Sequence, residues 1–332
     1  MSSTYDESST NSGDQPRPPT KALLFTQNTT RNPISWNSAL RQVNPNEVLH
    51  SVHLALHRAL DPCTNGCADA CSWAILNTPS DSAQPIGLKE VQTSATPSNG
   101  KIRTLVIPRP SELTYPQLGP KDTPEISVKL RFYGPHEQVD RKAHVDEALK
   151  YVEQATGFKE IDRFLVGFDG VRWAGGDEVC AKGQEEVDFL LKSGVWEYMS
   201  ENPALKALGV SDFSPLHLKT LLDNIPKDGP ARRPKMNQLN FERDLPEELV
   251  DLAKEGGMEL QSHADNRVPY EGIEGLLKEF ADRLPLPASF AELRAKGEPA
   301  IELLWVLKYT ILLRDRGLVA DKGFVLSLGF RD

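Results

Sequence analysis

The sequence predicts an α/β protein with a parallel sheet, because short apolar strands alternate with helix-length segments from Ile126 onward. Strand–helix–strand connections of this kind build parallel sheets with right-handed crossovers, and a closed barrel is one form of such a sheet. The length of 332 residues fits two ordinary domains or one barrel. The predicted strands are Ile126–Phe132, Arg163–Phe168, Leu208–Ser211, Lys235–Leu239, Met258–Ser262 and Leu318–Val319.

Three segments between these strands carry helix signals. Ser214 is placed to cap a helix that has Pro215 in its first turn. Asp244 and Glu247 have the spacing of a capping box, which predicts a second helix start. A last helix is expected to end at Gly317, and its apolar stripe consists of Leu303, Leu304, Leu307, Ile311 and Leu312.

The first third of the chain is less regular. Residues 1–20 contain no apolar segment and are predicted to be a disordered tail. Residues 78–99 and 108–124 are rich in Pro, Ser and Thr, so we expect flexible insertions there. The remaining elements predicted in this part are a strand at Ala22–Gln27, a helix at Glu47–Leu60 and a strand at Ile102–Ile107.

Charge and cysteine content limit the classes of partner. A formal net charge of −9 disfavours nucleic acid and anionic membranes, since the surface repels phosphate on average. No stretch approaches the roughly 20 apolar residues of a membrane-spanning helix. Three of the four cysteines lie close together, which is not typical of a secreted disulfide framework. We therefore expect a reducing, cytoplasmic setting.

A metal site is the alternative interpretation of one histidine and cysteine cluster. His50, His53 and His57 fall at helical spacing, and Cys63, Cys67 and Cys71 follow. The C-x₃-C-x₃-C spacing matches no common zinc or iron–sulfur pattern. We therefore predict solvated helix histidines, inert cysteines and no metal. The fourth cysteine, Cys180 in a polar, glycine-rich segment, is expected to be an unreactive loop thiol, with redox sensitivity as the alternative.

Two motifs resemble the aldo/keto reductase family. The segment Leu208–Phe213 is similar to the family's G-V-S-N-F, and Lys235–Gln238 is similar to its later N-Q. The resemblance implies a (β/α)8 TIM-type barrel in which Ser211 and Gln238 face a nicotinamide. It also implies that Lys322, near the end of the chain, meets the 2′-phosphate of NADPH.

Further residues resemble one branch of that superfamily, the regulatory (modifier, light-chain) subunits of glutamate–cysteine ligase. Asp212 stands where this branch has Asp and true reductases prefer Asn. Leu260–Asp265, which contains His263, is similar to the branch's L-L-T-H-N-D. Lys308–Leu326 is similar to its carboxyl-terminal segment. The resemblance begins at about Lys21 and covers most of the chain.

The residues that the resemblance assigns to reductase chemistry are incomplete. Such enzymes transfer hydride and use a tyrosine activated by a lysine, together with Asp and His. Lys129 stands at the place of the lysine, but Gly167 stands at that of the histidine, and the D-x-x-x-x-Y-G motif is absent. Losing the general acid alone costs on the order of 10²- to 10⁴-fold in rate. We therefore predict no catalytic residues, with Lys129 a remnant. Any cofactor pocket is vestigial and formed by Ser211, Asp212, Gln238, His263 and Lys322.

The resemblance implies a regulatory function without catalysis. A protein of this branch binds the ligase catalytic subunit as a heterodimer, raises its affinity for glutamate and relieves feedback inhibition by glutathione. The helix face within Asp212–Leu222 is the predicted docking surface. The segment Phe241–Leu245 replaces a loop that carries cysteines in animal relatives, so no disulfide is expected through it. An active NADP(H)-dependent reductase and an idle NADPH-binding sensor are the alternatives.

Overall fold

The computed structural model describes most of the chain after residue 17 and divides it into strands and helices of one α/β body. The described residues are 18–31, 46–60, 88–91, 102–107, 109, 118–134, 140–171, 181–229, 231–240, 245–265, 268 and 270–332. Of the segments discussed above, most of the predicted tail and insertions, Asp244 and all four cysteines lie outside these residues.

The described strands form a ten-stranded mixed sheet in the order β2-β3-β1-β10-β9-β4-β5-β6-β7-β8. The strands are β1 Lys21–Phe25, β2 Leu88–Val91, β3 Ile102–Ile107, β4 Pro124–Phe132, β5 Ile161–Phe168, β6 Leu205–Ser211, β7 Met236–Leu239, β8 Glu259–Ser262, β9 Ile301–Leu313 and β10 Leu318–Phe330.

Helices connect many of these strands within the described part of the chain. They are α1 Glu47–Leu60, α2 Arg141–Thr156, α3 Ala181–Lys192, α4 Val195–Glu201, α5 Pro215–Asn224, α6 Glu247–Gly256, α7 Tyr270–Glu279 and α8 Ala288–Lys296. None of the described helices has the length and apolar character needed to cross a membrane.

The five strands β4 to β8 are parallel neighbours, which confirms the predicted βα units. Alternate residues of these strands turn toward the helices and form a common core with them. On β4 these are Val128, Leu130 and Phe132, and the intervening residues face the other side of the sheet. The prediction that the sheet closes into an eight-fold barrel stays a prediction.

The predicted final helix is wrong, because Ile301–Leu313 is a strand of 13 residues. It pairs with β10 in a long antiparallel hairpin and with β4 on its other side. Apolar residues occupy nearly every position of this segment, so they satisfy helical and strand spacing alike. Their burial in the structure alternates, and residues such as Trp305, Tyr309 and Ile311 favour strands. Gly317, with φ of 56°, ends the short 3-10 turn Arg314–Arg316 that connects the two strands of the hairpin, not a long final helix.

The other helix signals have different outcomes. Ser214 caps α5 as predicted, since its Oγ accepts the amide of His217 at 3.3 Å. Helix α6 begins at Glu247 after Pro246, and no side chain caps it. The predicted capping box is therefore wrong in placing Glu247 as the third residue of the helix, because Pro246 disfavours the helical conformation at Leu245 and the helix begins only after it.

The first third of the chain contains the predicted strand β1, helix α1 and strand β3. The structure also has β2 at Leu88–Val91, inside the segment that was expected to be a flexible insertion, and this strand pairs with β3. Alternation along β1 places Ala22 and Leu24 in a second apolar core, whereas Leu23 and Phe25 belong to the first. Helices α1 and α7 cover this second core.

We predict that Gly209→Ala destabilises the protein. A Cβ at Gly209 in β6 would lie 2.4 Å from Met236 Cγ and 2.8 Å from the Met236 carbonyl oxygen, and a backbone atom of a paired strand cannot move away easily. Overpacking of this kind costs about 1 to 3 kcal/mol in free energy of unfolding. Urea unfolding measures the change.

Gly275→Ala is the matched control. Gly275 is exposed on α7, and its Cβ would meet nothing within 4 Å. Alanine is favoured over glycine in a helix by about 1 kcal/mol, so this variant should be more stable than the wild type. Equal free energies of unfolding for the two variants would contradict the strand packing described here.

Candidate functional site

Polar side chains collect on the face of the parallel strands opposite their helices. Along β4, Ser127, Lys129 and Arg131 alternate with the buried apolar residues. Because the carboxyl ends of parallel strands meet at one edge, Ser211 at the end of β6 and His263 just after β8 come close to these residues. The structure thus brings together side chains that the sequence placed on separate strands.

One carboxylate, Asp265, joins two lysines on neighbouring strands. Lys129 on β4 and Lys308 on β9 are directly opposite each other in the antiparallel register. The amine of Lys129 donates to Asp265 Oδ2 at 2.7 Å, and the amine of Lys308 donates to Asp265 Oδ1. Like charges directly across a strand pair repel, so the shared carboxylate is what makes this pair compatible with folding.

A second carboxylate, Asp212, is the acceptor for a neighbouring group of donors. Its Oδ2 accepts a hydrogen bond from the Arg131 guanidinium at 2.5 Å and from Ser211 Oγ at 3.1 Å. Its Oδ1 lies 3.0 Å from His263 Nε2. Since His263 Nδ1 accepts the backbone amide of Asp265 at 3.1 Å, the neutral ring carries its proton on Nε2 and donates it to Asp212.

The backbone of Asp212 is unusual in the described part of the chain, where it has positive φ, 65°, without being glycine. Aspartate tolerates this left-handed conformation better than most residues. Backbone strain of this kind persists where surrounding contacts fix the residue, and here Arg131, His263 and the Asn240 amide hold the side chain. The contacts therefore fix the carboxylate at the edge of the sheet.

Burial and charge shift the protonation of this network in opposite directions. Burial favours a raised pKa for Asp212, but the hydrogen bond from His263 and the charge of Arg131 outweigh it and lower the pKa. Burial likewise opposes ionisation of Asp265, and the charges of Lys129 and Lys308 hold its pKa well below the usual range. Burial lowers the pKa of Lys129 despite the neighbouring Asp265. Both carboxylates are therefore ionised at neutral pH.

Arg131 also occupies the surroundings of Gly167, the position where the reductase resemblance implies a histidine. A Cβ built on Gly167 would lie 3.4 Å from Ser211 Cβ and 3.7 Å from the Arg131 guanidinium carbon. The guanidinium also donates to the Phe168 carbonyl at 3.3 Å. A Cβ at Gly167 would therefore contact both side chains, and atoms beyond it would compete with Arg131 for space.

The network borders a cavity of about 380 Å³ on the same face of the sheet. Gln238 lines it and donates to Gln261 at 3.0 Å. Residues of β4 and β9 line the cavity together with the segment after β8, so the parallel part of the sheet curls toward the hairpin. Its lining includes the charged residues Glu125, Lys129, Arg163, Asp265 and Lys308.

Of the five residues expected to form a vestigial cofactor pocket, the structure brings Ser211, Asp212 and His263 into direct contact. Gln238 lies at the adjoining cavity. Lys322 does not join them: its amine donates to Glu47 Oε1 and Oε2 on α1 at 2.6 and 2.8 Å. Its position in the hairpin strand β10 directs it to this helix.

Sequence reasoning missed three members of the network, Arg131, Asp265 and Lys308. The alternation of Ser127, Lys129 and Arg131 within a strand was a usable signal for Arg131, since i and i+2 share a face. Asp265 ends the motif Leu260–Asp265, but nothing in the sequence indicated that it would form ion pairs. Lys308 was not predicted to lie near Lys129, because its segment was predicted to be a helix.

The arrangement holds its charged groups in fixed positions. Each of the two carboxylates is shared by at least two donors, and both ring nitrogens of His263 have hydrogen-bond partners. These contacts hold the strand ends together beside the polar cavity.

We predict that Asp265→Asn lowers the free energy of unfolding at pH 7 by about 3 kcal/mol, because it leaves the buried Lys129 and the half-buried Lys308 facing each other without a counter-charge. The pKa of Asp265 is lowered by folding, so its stabilisation is present above the unfolded value of about 4 and is lost as the pH falls below it. The difference between wild type and variant should therefore shrink in acid.

Asp251→Asn is the control for this measurement. Asp251 forms an exposed pair with Lys254 on α6, with 59% of the aspartate side chain accessible. Exposed pairs contribute little, so this variant should stay within about 0.5 kcal/mol of the wild type. A similar loss in both variants, or a loss at Asp265 that does not depend on pH, would contradict the bridging role.

Comparison with known proteins gives relatives of one kind. The chain is 29% identical over 214 residues to the glutamate–cysteine ligase regulatory subunit of Mus musculus, a match that covers 61% of this chain and 65% of the relative. The same subunit of Rattus norvegicus is also 29% identical over 214 residues, and that of Bos taurus is 28% identical over 210 residues. The coverage is 61% of this chain and 65% of the relative in both cases.

The matched region thus spans slightly less than two thirds of these relatives' length. No family model matches the chain. The resemblance that the sequence motifs indicated is nevertheless confirmed by these matches. The chain is therefore similar to the glutamate–cysteine ligase regulatory subunits over about three fifths of its length.

Proposed function

We propose that this protein is a regulatory partner without catalytic activity of its own. It binds the catalytic subunit of a glutamate–cysteine ligase as a heterodimer, raises the affinity of that subunit for glutamate and relieves its feedback inhibition by glutathione. The relatives in mouse, rat and cattle are regulatory subunits of this ligase, which supports the regulatory role in that complex. The kinetic effects follow from the family resemblance and are part of the proposal.

The observation that best supports a protein without catalytic activity is the hydrogen bond of Lys129 to Asp265. The hydrogen bond of its amine in the described part of the chain goes to Asp265, not to a phenol that it could activate. Three of the described tyrosines have hydroxyls that form hydrogen bonds elsewhere: Tyr198 with Asp146, Tyr270 with the Ile301 carbonyl and Tyr309 with Arg109. With Arg131 beside Gly167, these contacts support a site that has no proton donor for a carbonyl substrate.

Regulation by binding requires different affinities for two states of the catalytic subunit. Couplings of this kind are typically 1 to 3 kcal/mol, which corresponds to about 5- to 150-fold in affinity. A docking body that transmits such a preference benefits from rigidity. The ion pairs that connect the end of β8 to β4 and β9 supply it, since they join the two halves of the sheet.

The proposal includes a closed eight-fold barrel and a reducing, cytoplasmic setting. The curl of the parallel strands, which brings Asp265 after β8 to Lys308 on β9, supports closure. The bunching of three of the four cysteines supports the reducing setting. Helix α5, at the edge where the strands end, is the proposed docking element, and its Leu216 side chain is exposed.

We expect the purified protein to form a 1:1 complex with the ligase catalytic subunit of the same organism and to lower its KM for glutamate. The inhibition constant for glutathione should rise in the complex. Size-exclusion chromatography with light scattering measures the stoichiometry, and initial rates with and without the protein measure both constants. Unchanged kinetics in a confirmed complex would reject the regulatory role, and the absence of a complex would reject the partner.

Matched variants test the docking element. Leu216→Asp, on α5, should weaken the complex, while Leu318→Asp, at the turn of the hairpin, should not; the two leucines are 48% and 52% exposed. Both variants should unfold like the wild type, because neither side chain is buried. Equal affinity of the two variants for the catalytic subunit would rule out α5 as the docking element.

We also expect no oxidation of NADPH with short-chain and aromatic aldehydes above the rate without protein. A reductase lacking its general acid loses on the order of 10²- to 10⁴-fold in rate, and the Lys129 amine is held by Asp265. The decrease of NADPH absorbance measures turnover. Saturable turnover that is lost in Lys129→Met would overturn the non-catalytic assignment and favour the reductase alternative.

A further inference from the structure

We propose that His53, His57 and Glu279 form a binding site for one divalent transition-metal ion, with Zn²⁺ the best fit. The two histidines lie one turn apart on α1, and Glu279 is the last residue of α7. One ligand atom from each of the three side chains lies within 4.8 Å of the other two. The site is on the second core, away from the ion pairs at the strand ends.

The distances are close to those of a bound ion. Zinc takes imidazole nitrogen and carboxylate oxygen at about 2.0 to 2.2 Å in a tetrahedron, which places ligand atoms about 3.4 Å from one another. His53 Nε2 and Glu279 Oε1 are already 3.2 Å apart. Rotations of the side chains by which ligand atoms now within 4.8 Å approach to about 3.4 Å would bring all three donors onto one ion.

The two imidazoles are held in place by an aromatic neighbour. Their ring centroids are 4.5 Å apart, and each ring contacts Phe280, at 5.9 Å for His53 and 5.0 Å for His57. Phe280 is buried and follows α7 directly. This packing limits the motion of both rings, which reduces the entropy lost when an ion binds.

The charges around the cluster also favour a cation. Glu279 contributes a carboxylate, and it stands at the carboxyl end of α7, where the helix dipole is negative. His50, one turn before His53, has a pKa lowered by burial and by its neighbour His53, so it adds little positive charge. The opposing charge is that of Arg283, whose guanidinium lies over the Phe280 ring.

The donor set selects the class of ion. Two imidazoles and one carboxylate suit Zn²⁺ and similar transition metals, whereas Mg²⁺ and Ca²⁺ prefer oxygen donors alone. The side chains of His53 and Glu279 are 33% and 51% exposed, so an ion can enter without unfolding of the chain. Three protein donors leave a fourth position for water. The bound ion would join α1 to α7.

The sequence predicted no metal because the donors close to one another along the chain were the histidines of α1 and the cysteines after them, whose spacing matches no common metal site. The third donor comes from a residue 226 positions after His53. Such a pair of donors on one helix is common without a metal. The packing of α7 against α1 is what completes the set.

Calorimetric titration of the full chain with ZnCl₂ tests the proposal. Cys63, Cys67, Cys71 and Cys180 are first replaced by serine to remove thiolate ligands. We expect one equivalent of zinc to bind, and at least about a tenfold loss of affinity in both His57→Gln and Glu279→Gln. His50→Gln, on the same helix, should bind like its parent. Zinc should raise the Tm of the parent but not that of His57→Gln.

The outcomes that overturn the proposal are distinct. No binding by the cysteine-free chain, or affinity unchanged in His57→Gln and Glu279→Gln, would reject the site. If the cysteine-free chain does not fold, Co²⁺ spectra of the wild-type chain decide: the His57-dependent signal must lack the sulfur-to-metal charge-transfer band of thiolate ligation. A His57-dependent signal that contains that band, or no His57-dependent signal, would also reject the site.

Discussion

The contact between Asp265 and the two lysines Lys129 and Lys308 is the constraint on which the rest of the polar face depends. The register of β4 and β9 places the lysines opposite each other, where their charges repel. Only an anion between them makes the pairing favourable, and the segment after β8 provides it. The same contact brings the last parallel strand to the carboxyl-terminal hairpin and so sets the curl of the sheet and the shape of the cavity.

The second carboxylate, Asp212, fixes a further group of donors at the strand ends. Its partner Arg131 lies beside Gly167, and the two are hydrogen-bonded, with the carboxylate buried and the guanidinium 21% exposed. A charge-assisted hydrogen bond of this kind holds both groups in one geometry. The network therefore stabilises the strand ends beside the polar cavity.

Local signals predicted the parallel half of the fold well. Strands β4 to β8 coincide with short apolar runs that are easily recognised in the sequence. Ser214 and Pro215 mark the start of α5. The hairpin was not predicted, because Leu303, Leu307 and Ile311 satisfy helical and strand spacing together. Which of the two forms depends on pairing with β4 and β10, and that information lies far away along the chain. Pro246 shows the same limit on a smaller scale, since it shifted a helix start past the expected cap.

By itself the sequence determined the α/β class, the five parallel strands, the absence of a histidine at position 167 and the motifs shared with the regulatory subunits. Tertiary structure decided which charges meet. It brought Asp265 to Lys129 and Lys308, Arg131 to Asp212, and Lys322 to Glu47. The physical reason is range: capping and strand periodicity act over a few residues, whereas an ion pair requires two side chains to be placed by separate elements whose packing the local pattern does not specify.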